Sequence, residues 1–190
     1  MNKINYLSEI EEAICGENAI DCALVRKWLT AQNIDDKDAL YYLLNDEKMV
    51  NRISPLPDFD EVYNFCLPFL GYAIANNYAG YSFDDRYDAA RELYVLVKNM
   101  LLTYPHESCI KKFKDAVESI YMNGDDKVKN CIETVLLEHL FDNKLILEAF
   151  DSWRDDPALK QAYDNVMYYV NNIGAVLRSA RRRERNRSLS

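Results

Sequence analysis

The chain has 190 residues with 23 Lys and Arg against 31 Asp and Glu, a net charge of −8, and that length can bury roughly two-thirds of the surface an unfolded chain exposes. It therefore needs neither disulfides nor a structural metal to fold, and its acidity disfavours a body that binds nucleic acid or anionic membrane. The charge is uneven: residues 1–177 hold 17 cations and 30 anions, net −13, whereas residues 178–190 hold six Arg and one Glu, net +5.

Five Gly, five Pro and apolar residues recurring every three to four positions predict an all-α chain. In chain order the helices are expected at 4–15, 19–32, 36–51, 59–78, 83–103, 107–122, 126–141, 144–152 and 157–183. That makes about eight to nine helices in one domain, 1–190, arranged as an irregular α-hairpin array or bundle. Gly16 and Gly124 stand where a left-handed helix end is wanted, and Asp156-Pro157 reads as an N-cap followed by proline at the first helical position. Asp58 with Glu61, and Ser82 with Asp85, read as N-caps followed by a first-turn acid. Pro55 and Pro57 mark a joint between sub-regions 1–54 and 58–177, with 178–190 a basic helix end or tail. Pro68 is expected to kink its helix. From Tyr104 to Phe141 the pattern is helix, Asn-Gly-Asp-Asp turn, helix, which looks like one α-hairpin of a HEAT-type repeat, although no fixed period recurs.

Cys15, Cys22, Cys66, Cys109 and Cys131 are odd in number and contain no CxxC pair, so reduced thiols in a cytoplasmic protein are expected. The first dozen residues lack the apolar core of a signal peptide. The longest apolar stretch, Val62 to Ala75, is interrupted by Asn64 and Pro68, so neither secretion nor a membrane span is expected.

Chemistry has little material. Two histidines, His106 and His139, are the only ones present, and neither has the partner spacing of a zinc or di-iron motif. At 100° per residue His139 shares a face with Val128, Ile132 and Val135, which places it at the core edge. Asp125 and Asp126 lack the alternating oxygen ligands of a calcium loop, and there is no Gly-rich phosphate loop. The expectation is a protein without catalytic residues, metal or cofactor.

Contact surfaces are better represented. Residues 77–88 concentrate aromatics and acids where two helices meet, and Tyr81, Asp84, Asp85, Tyr87 and Asp88 are expected to meet a cationic partner, with Asp58, Asp60 and Glu61 as a second acidic surface. The competing expectation is that Asp84, Asp85 and Asp88 simply form a first helical turn favoured by the dipole while Phe83 and Tyr87 pack inward. Fourteen tyrosines include the pairs Tyr41-Tyr42 and Tyr168-Tyr169, each expected to turn one ring inward. Arg178, Arg181, Arg182, Arg183, Arg185 and Arg187 could fork onto nucleic-acid phosphates, form a solvated helix end, or fold back onto the acidic body.

The segment Asn123-Gly-Asp-Asp-Lys-Val-Lys-Asn-Cys-Ile-Glu-Thr-Val-Leu-Leu-Glu-His-Leu140 is similar to one in the small, acidic, all-helical immunity proteins that bacteria pair with polymorphic toxins, contact-dependent growth-inhibition systems included. The resemblance implies a stoichiometric inhibitor that binds a cognate toxin domain in the cytoplasm, the toxin being a basic nuclease. The alternative class is a nucleic-acid-associated adaptor that uses the arginine tail.

Overall fold

The computed structural model describes residues 5–174. The chain is all-α, apart from one two-residue strand pair among the described residues, and it divides into two compact units between Ala89 and Ala90.

The first unit contains α1 (Leu7–Cys15), β1 (Ile20–Asp21), α2 (Cys22–Trp28), α3 (Ile34–Asn45), α4 (Glu47–Val50), β2 (Ile53–Ser54), α5 (Phe59–Asn76) and the start of α6 (Arg86–Thr103). The helix expected at 19–32 is shorter because Ile20 and Asp21 pair in parallel with Ile53 and Ser54. Asp21 then caps α2 by accepting the Ala23 N–H at 2.8 Å. The helix expected at 36–51 starts two residues early and breaks at Asp46. Its extended backbone and carboxylate, which accepts the Lys48 and Met49 N–H groups, start α4 afresh.

Pro55 and Pro57 lie within this unit, where β2 is tied to β1 and Arg26 reaches Asp58 and Glu61 across the turn. Pro68 sits inside α5 on its exposed side, so its missing donor falls where water is available. Tyr41, Phe69 and Phe83 form an aromatic triangle with centroids 5.3–5.7 Å apart at the core centre. Trp28 is fully buried with its indole N–H on Glu9 at 3.1 Å.

The second unit holds the rest of α6, then α7 (Glu107–Asn123), α8 (Asp126–Cys131) running through a π-helical stretch (Ile132–Leu137) into α9 (Glu138–Leu140), α10 (Lys144–Ala149), a 3₁₀ turn (Asp151–Arg154) and α11 (Lys160–Tyr168), which continues as π-helix over Tyr169–Gly174. Its core is a chain of rings in which Phe150 packs on Phe113, Phe141 and Trp153, and Trp153 on Tyr121. Residues 104–141 form the expected helical pair, with α7 packed on α8. The turn between them needs Gly124 for space, since a Cβ there would sit 2.5 Å from the Val128 side chain.

Several local expectations are corrected. Gly16 and Gly124 have φ of −78° and −84° and are not left-handed; that conformation belongs to Asn77, with φ 49°. The first regular helical residue after Asp156-Pro157 is Lys160, although Asp156 still accepts the Ala158 N–H at 2.8 Å. His139 is exposed and touches only the edge of the Tyr94 ring among described aromatic partners. The reason is the π-helical stretch, whose extra residue turns everything downstream by about 100° and so replaces the Val135/His139 face with Leu136, Leu137 and Leu140, all fully buried. Tyr41 turns inward and Tyr42 is half-buried as the pair spacing requires, whereas at 168–169 neither ring is buried and Tyr168 is 65% exposed.

Because a π-bulge accommodates one surplus residue, deleting the exposed Thr134 is expected to restore regular α-helix with Leu136, Leu137 and Leu140 still inward, at a cost within about 1 kcal/mol. Deleting the exposed Asp115 from the regular helix α7 instead turns Val117 and Tyr121 out of the core, and is expected to unfold the second unit. Thermal melts of the two deletions decide this, and equal losses would contradict the bulge account.

All five cysteines are free; Cys15 is exposed, the other four are buried, and burial pushes the Cys66 thiol up to about 12. Native protein at neutral pH is therefore expected to take up iodoacetamide at Cys15 alone, and at all five positions in urea, as read by peptide mass spectrometry. Modification of Cys66 without denaturant would contradict this packing.

Candidate functional site

The acidic and aromatic segment expected to bind a partner lies between the end of α5 and the start of α6. Asn77 ends α5 in the left-handed conformation, and its side-chain oxygen accepts from Arg86 Nε at 3.0 Å, so one residue stops one helix and steadies the next. The N-cap of α6 is Asp85 rather than Ser82: its carboxylate accepts the Tyr87 and Asp88 N–H groups at 2.8 and 3.1 Å. Asp88 reaches back to the Asp84 N–H at 3.2 Å. Asp85, Tyr87 and Asp88 are half-buried, so two of the three aspartates serve the helix start, and the exposed members of the group are Tyr81 and Asp84. Arg86 lies beneath them, 8% exposed.

The loop before α6 is shaped by Asp38, a residue to which the sequence reading assigned no role. Asp38 is fully buried on α3 and accepts hydrogen bonds from the Tyr81 N–H, the Ser82 N–H at 3.1 Å and the Tyr78 hydroxyl at 3.2 Å. Ser82 Oγ returns a bond to the Asp38 carbonyl at 3.3 Å. Gly80 passes so close that a Cβ would lie 2.1 Å from Asp38 Oδ2, so the loop cannot hold this course with another residue there. Tyr81 is thereby held 59% exposed, and its hydroxyl donates to Glu11 on α1 at 2.6 Å.

A cleft of about 480 Å³ opens beside this loop, lined by Leu7, Asp35, Asp38 and residues 78–81. Both tyrosines are held above their ordinary pKa: Tyr78 chiefly by burial and then by Asp38, Tyr81 chiefly by its bond to Glu11, with Asp38 and Asp35 adding to each. The signal that could have revealed the site was the Asp-Asp-Lys-Asp start of α3, where an acid falls within the inward-facing run that continues at Tyr41.

The second acidic surface lies elsewhere. Asp58, Asp60 and Glu61 start α5, whose 18 residues span about 27 Å, so they are at the opposite end of that helix from the 77–88 loop. Glu61 accepts both the Asp58 N–H and Arg26 Nε, at 3.0 and 2.9 Å, and Arg26 lies 3.7 Å from Asp58. The Arg26 guanidinium holds the Glu61 carboxyl below its usual range. These acids are partly neutralised within the chain, and Asp58 and Asp60 are the exposed members. Arg178, Arg181, Arg182, Arg183, Arg185 and Arg187 lie outside the described residues.

His106 caps α7 and contacts Ser108 Oγ at 2.8 Å with its ring stacked on Tyr104. In the second unit a groove of about 500 Å³ runs between α7 and α10, floored by Ile110 and Ala149, with Leu145, Lys111 and Lys114 among its other lining residues. Glu133, in the π-helical stretch, accepts from the Tyr121 hydroxyl at 2.7 Å and from Asn165 at 3.1 Å. Among the described residues no three His, Cys, Asp or Glu side chains converge as metal ligands would, and no helix is long and apolar enough to cross a membrane.

Fold and site together define an all-α protein whose helix-loop-helix at 77–88 is built on carboxylate caps and a buried aspartate. The chain belongs to a family known as a domain of unknown function (DUF7674), whose model matches residues 72–169. No curated protein and no solved structure matches it. The family span takes in Tyr81, Asp84, Asp85, Tyr87 and Asp88; Asp38 and the acids at the start of α5 precede it.

Proposed function

We propose that this chain is an immunity protein, a stoichiometric inhibitor that binds and neutralises a cognate bacterial toxin domain in the cytoplasm, the toxin being a basic nuclease. The observation that carries the reading is the held position of Tyr81, an exposed ring with Glu11 at its hydroxyl and Asp35 and Asp38 in the adjoining cleft, in a body of net charge −13. A ring immobilised before binding loses little entropy on association, and surrounding carboxylates steer a cationic partner and complement the residues that would otherwise hold nucleic-acid phosphates. The inhibitor works by occlusion, without catalysis or cofactor.

Affinity capture of the tagged protein from its host, with and without nuclease treatment, tests this. A nuclease-insensitive one-to-one complex with a basic domain supports the reading. RNA or DNA that is lost when residues 179–190 are deleted would transfer the function to the adaptor class. Given the captured partner, Asp84→Lys is expected to slow association about tenfold at low salt, with the difference shrinking at ~0.5 M salt and helicity unchanged by circular dichroism. Unchanged association kinetics would remove this face from the interface. Asp88 is a poorer choice for the test because its carboxylate caps the Asp84 N–H.

A further inference from the structure

We infer that the cleft between α3 and the 78–81 loop is a receptor for a guanidinium group presented by a protein partner, seated against the Tyr81 ring with Asp35 at its charge. The inference rests on the inhibitor reading and names the chemistry that the first unit would recognise.

Three features carry it. The cleft, about 480 Å³, is larger than one arginine side chain needs, and its apolar walls of Leu7, Tyr78, Ala79 and Tyr81 suit the methylene stem and the flat face of a guanidinium. Its charge is one-sided: Asp35 and Asp38 line it, Glu11 stands at the Tyr81 hydroxyl, and no Lys or Arg is among the lining residues. None of these three carboxylates forms an ion pair with a described residue, unlike Glu9, Asp58 and Glu61, which have Lys27 or Arg26. Finally, the site is built before any ligand arrives. Asp38 fixes the loop backbone through Tyr81 and Ser82, Gly80 admits that approach, and Glu11 fixes the Tyr81 ring. Asp35, exposed on the first turn of α3, remains available to accept a forked pair of N–H bonds.

The test is titration of the full-length, ¹⁵N-labelled protein with L-arginine amide, followed by amide chemical shifts, with L-citrulline amide, which keeps the α-ammonium but carries a neutral ureido group in place of the guanidinium, as the control. Saturable shifts confined to Leu7, Asp35 and residues 78–82 are expected with arginine amide and not with citrulline amide. Binding is expected to weaken about fivefold in Asp35→Asn and in Tyr81→Ala. Equal responses to the two amides, or non-saturating shifts spread over the acidic surface, would overturn the proposal. A response that appears only after deletion of residues 178–190 would make the chain its own occupant and overturn it too. Arginine-amide binding with no co-purifying protein would leave the cleft and sink the inhibitor reading; a captured toxin whose affinity ignores Asp35→Asn and Tyr81→Ala would do the reverse.

Discussion

Replacing Asp38 with alanine is expected to destabilise the first unit by about 2–4 kcal/mol, because two backbone N–H donors and a tyrosine hydroxyl lose one buried acceptor at once. Each orphaned donor costs ~1–3 kcal/mol when water cannot replace the partner, and the exposed edge of the Tyr81–Ser82 turn keeps the sum toward the low end. Asp38→Asn keeps one oxygen and is expected to cost about half as much. The loop should respond more than the melting point does: Tyr81 and Ser82 amides exchange with solvent far faster in Asp38→Ala, and Tyr81 loses its fixed position beside Glu11. Urea denaturation with hydrogen exchange measures both. A variant with wild-type stability and protected Tyr81 and Ser82 amides would remove Asp38 as the organiser of the site.

Trp153→Ala is expected to cost the second unit about 3–5 kcal/mol, the usual loss for deleting a fully buried tryptophan. The ring sits 5.0 Å from Phe150 and 5.4 Å from Tyr121, so its removal leaves a cavity in the chain of rings at the core. Its indole N–H also donates to Glu118 at 3.1 Å. Trp153→Phe, which retains most of the packing and loses that bond, is expected to cost about 1–2 kcal/mol.

Glu118 adds a pH signature. Its carboxyl is held below the ordinary value of 4.5, first by Lys114 and then by the Trp153 indole. A carboxyl lowered in the folded state contributes stability that is complete above its unfolded pKa and is lost as pH falls through the folded value. The gap between wild type and Glu118→Gln should therefore be widest near neutral pH and close in acid. A gap that widens on acidification would contradict the arrangement.

Most of the helices were legible because their apolar positions recur at three and four residues: α5, α6 and α7 fall within three residues of expectation at each end. Boundaries set by local side-chain oxygens were partly legible too. Asp58 and Glu61 do open α5, and Asp125 opens α8 by accepting the Val128 N–H at 2.8 Å. Expectation failed where a distant partner intervened. Ile20 and Asp21 look helical until Ile53 and Ser54 pair with them, and His139 looks core-facing until the π-helical stretch rotates its turn. In the candidate site Tyr81 and Asp84 were legible as exposed aromatic and acid, whereas Asp85, read as a first-turn acid behind a Ser82 cap, is itself the cap. Asp35 and Asp38 were not legible as site residues: the Asp-Asp-Lys-Asp start of α3 places an acid within the inward-facing run, but only the fold shows which loop, 43 residues away, that acid receives.

By itself the sequence determined what depends on short-range order and on totals: helical class, most helix positions, the acid excess of the body against the basic end, and the availability of free thiols. Tertiary structure alone decided which carboxylates are committed and which are available. Asp85 and Asp88 cap α6, Glu61 holds Arg26, Asp38 organises the loop, and Asp35 and Asp84 are left at the surface. The physical reason is that a charge is used up by its neighbours in space, and for Glu61 and Asp38 those neighbours lie 35 to 44 residues away along the chain.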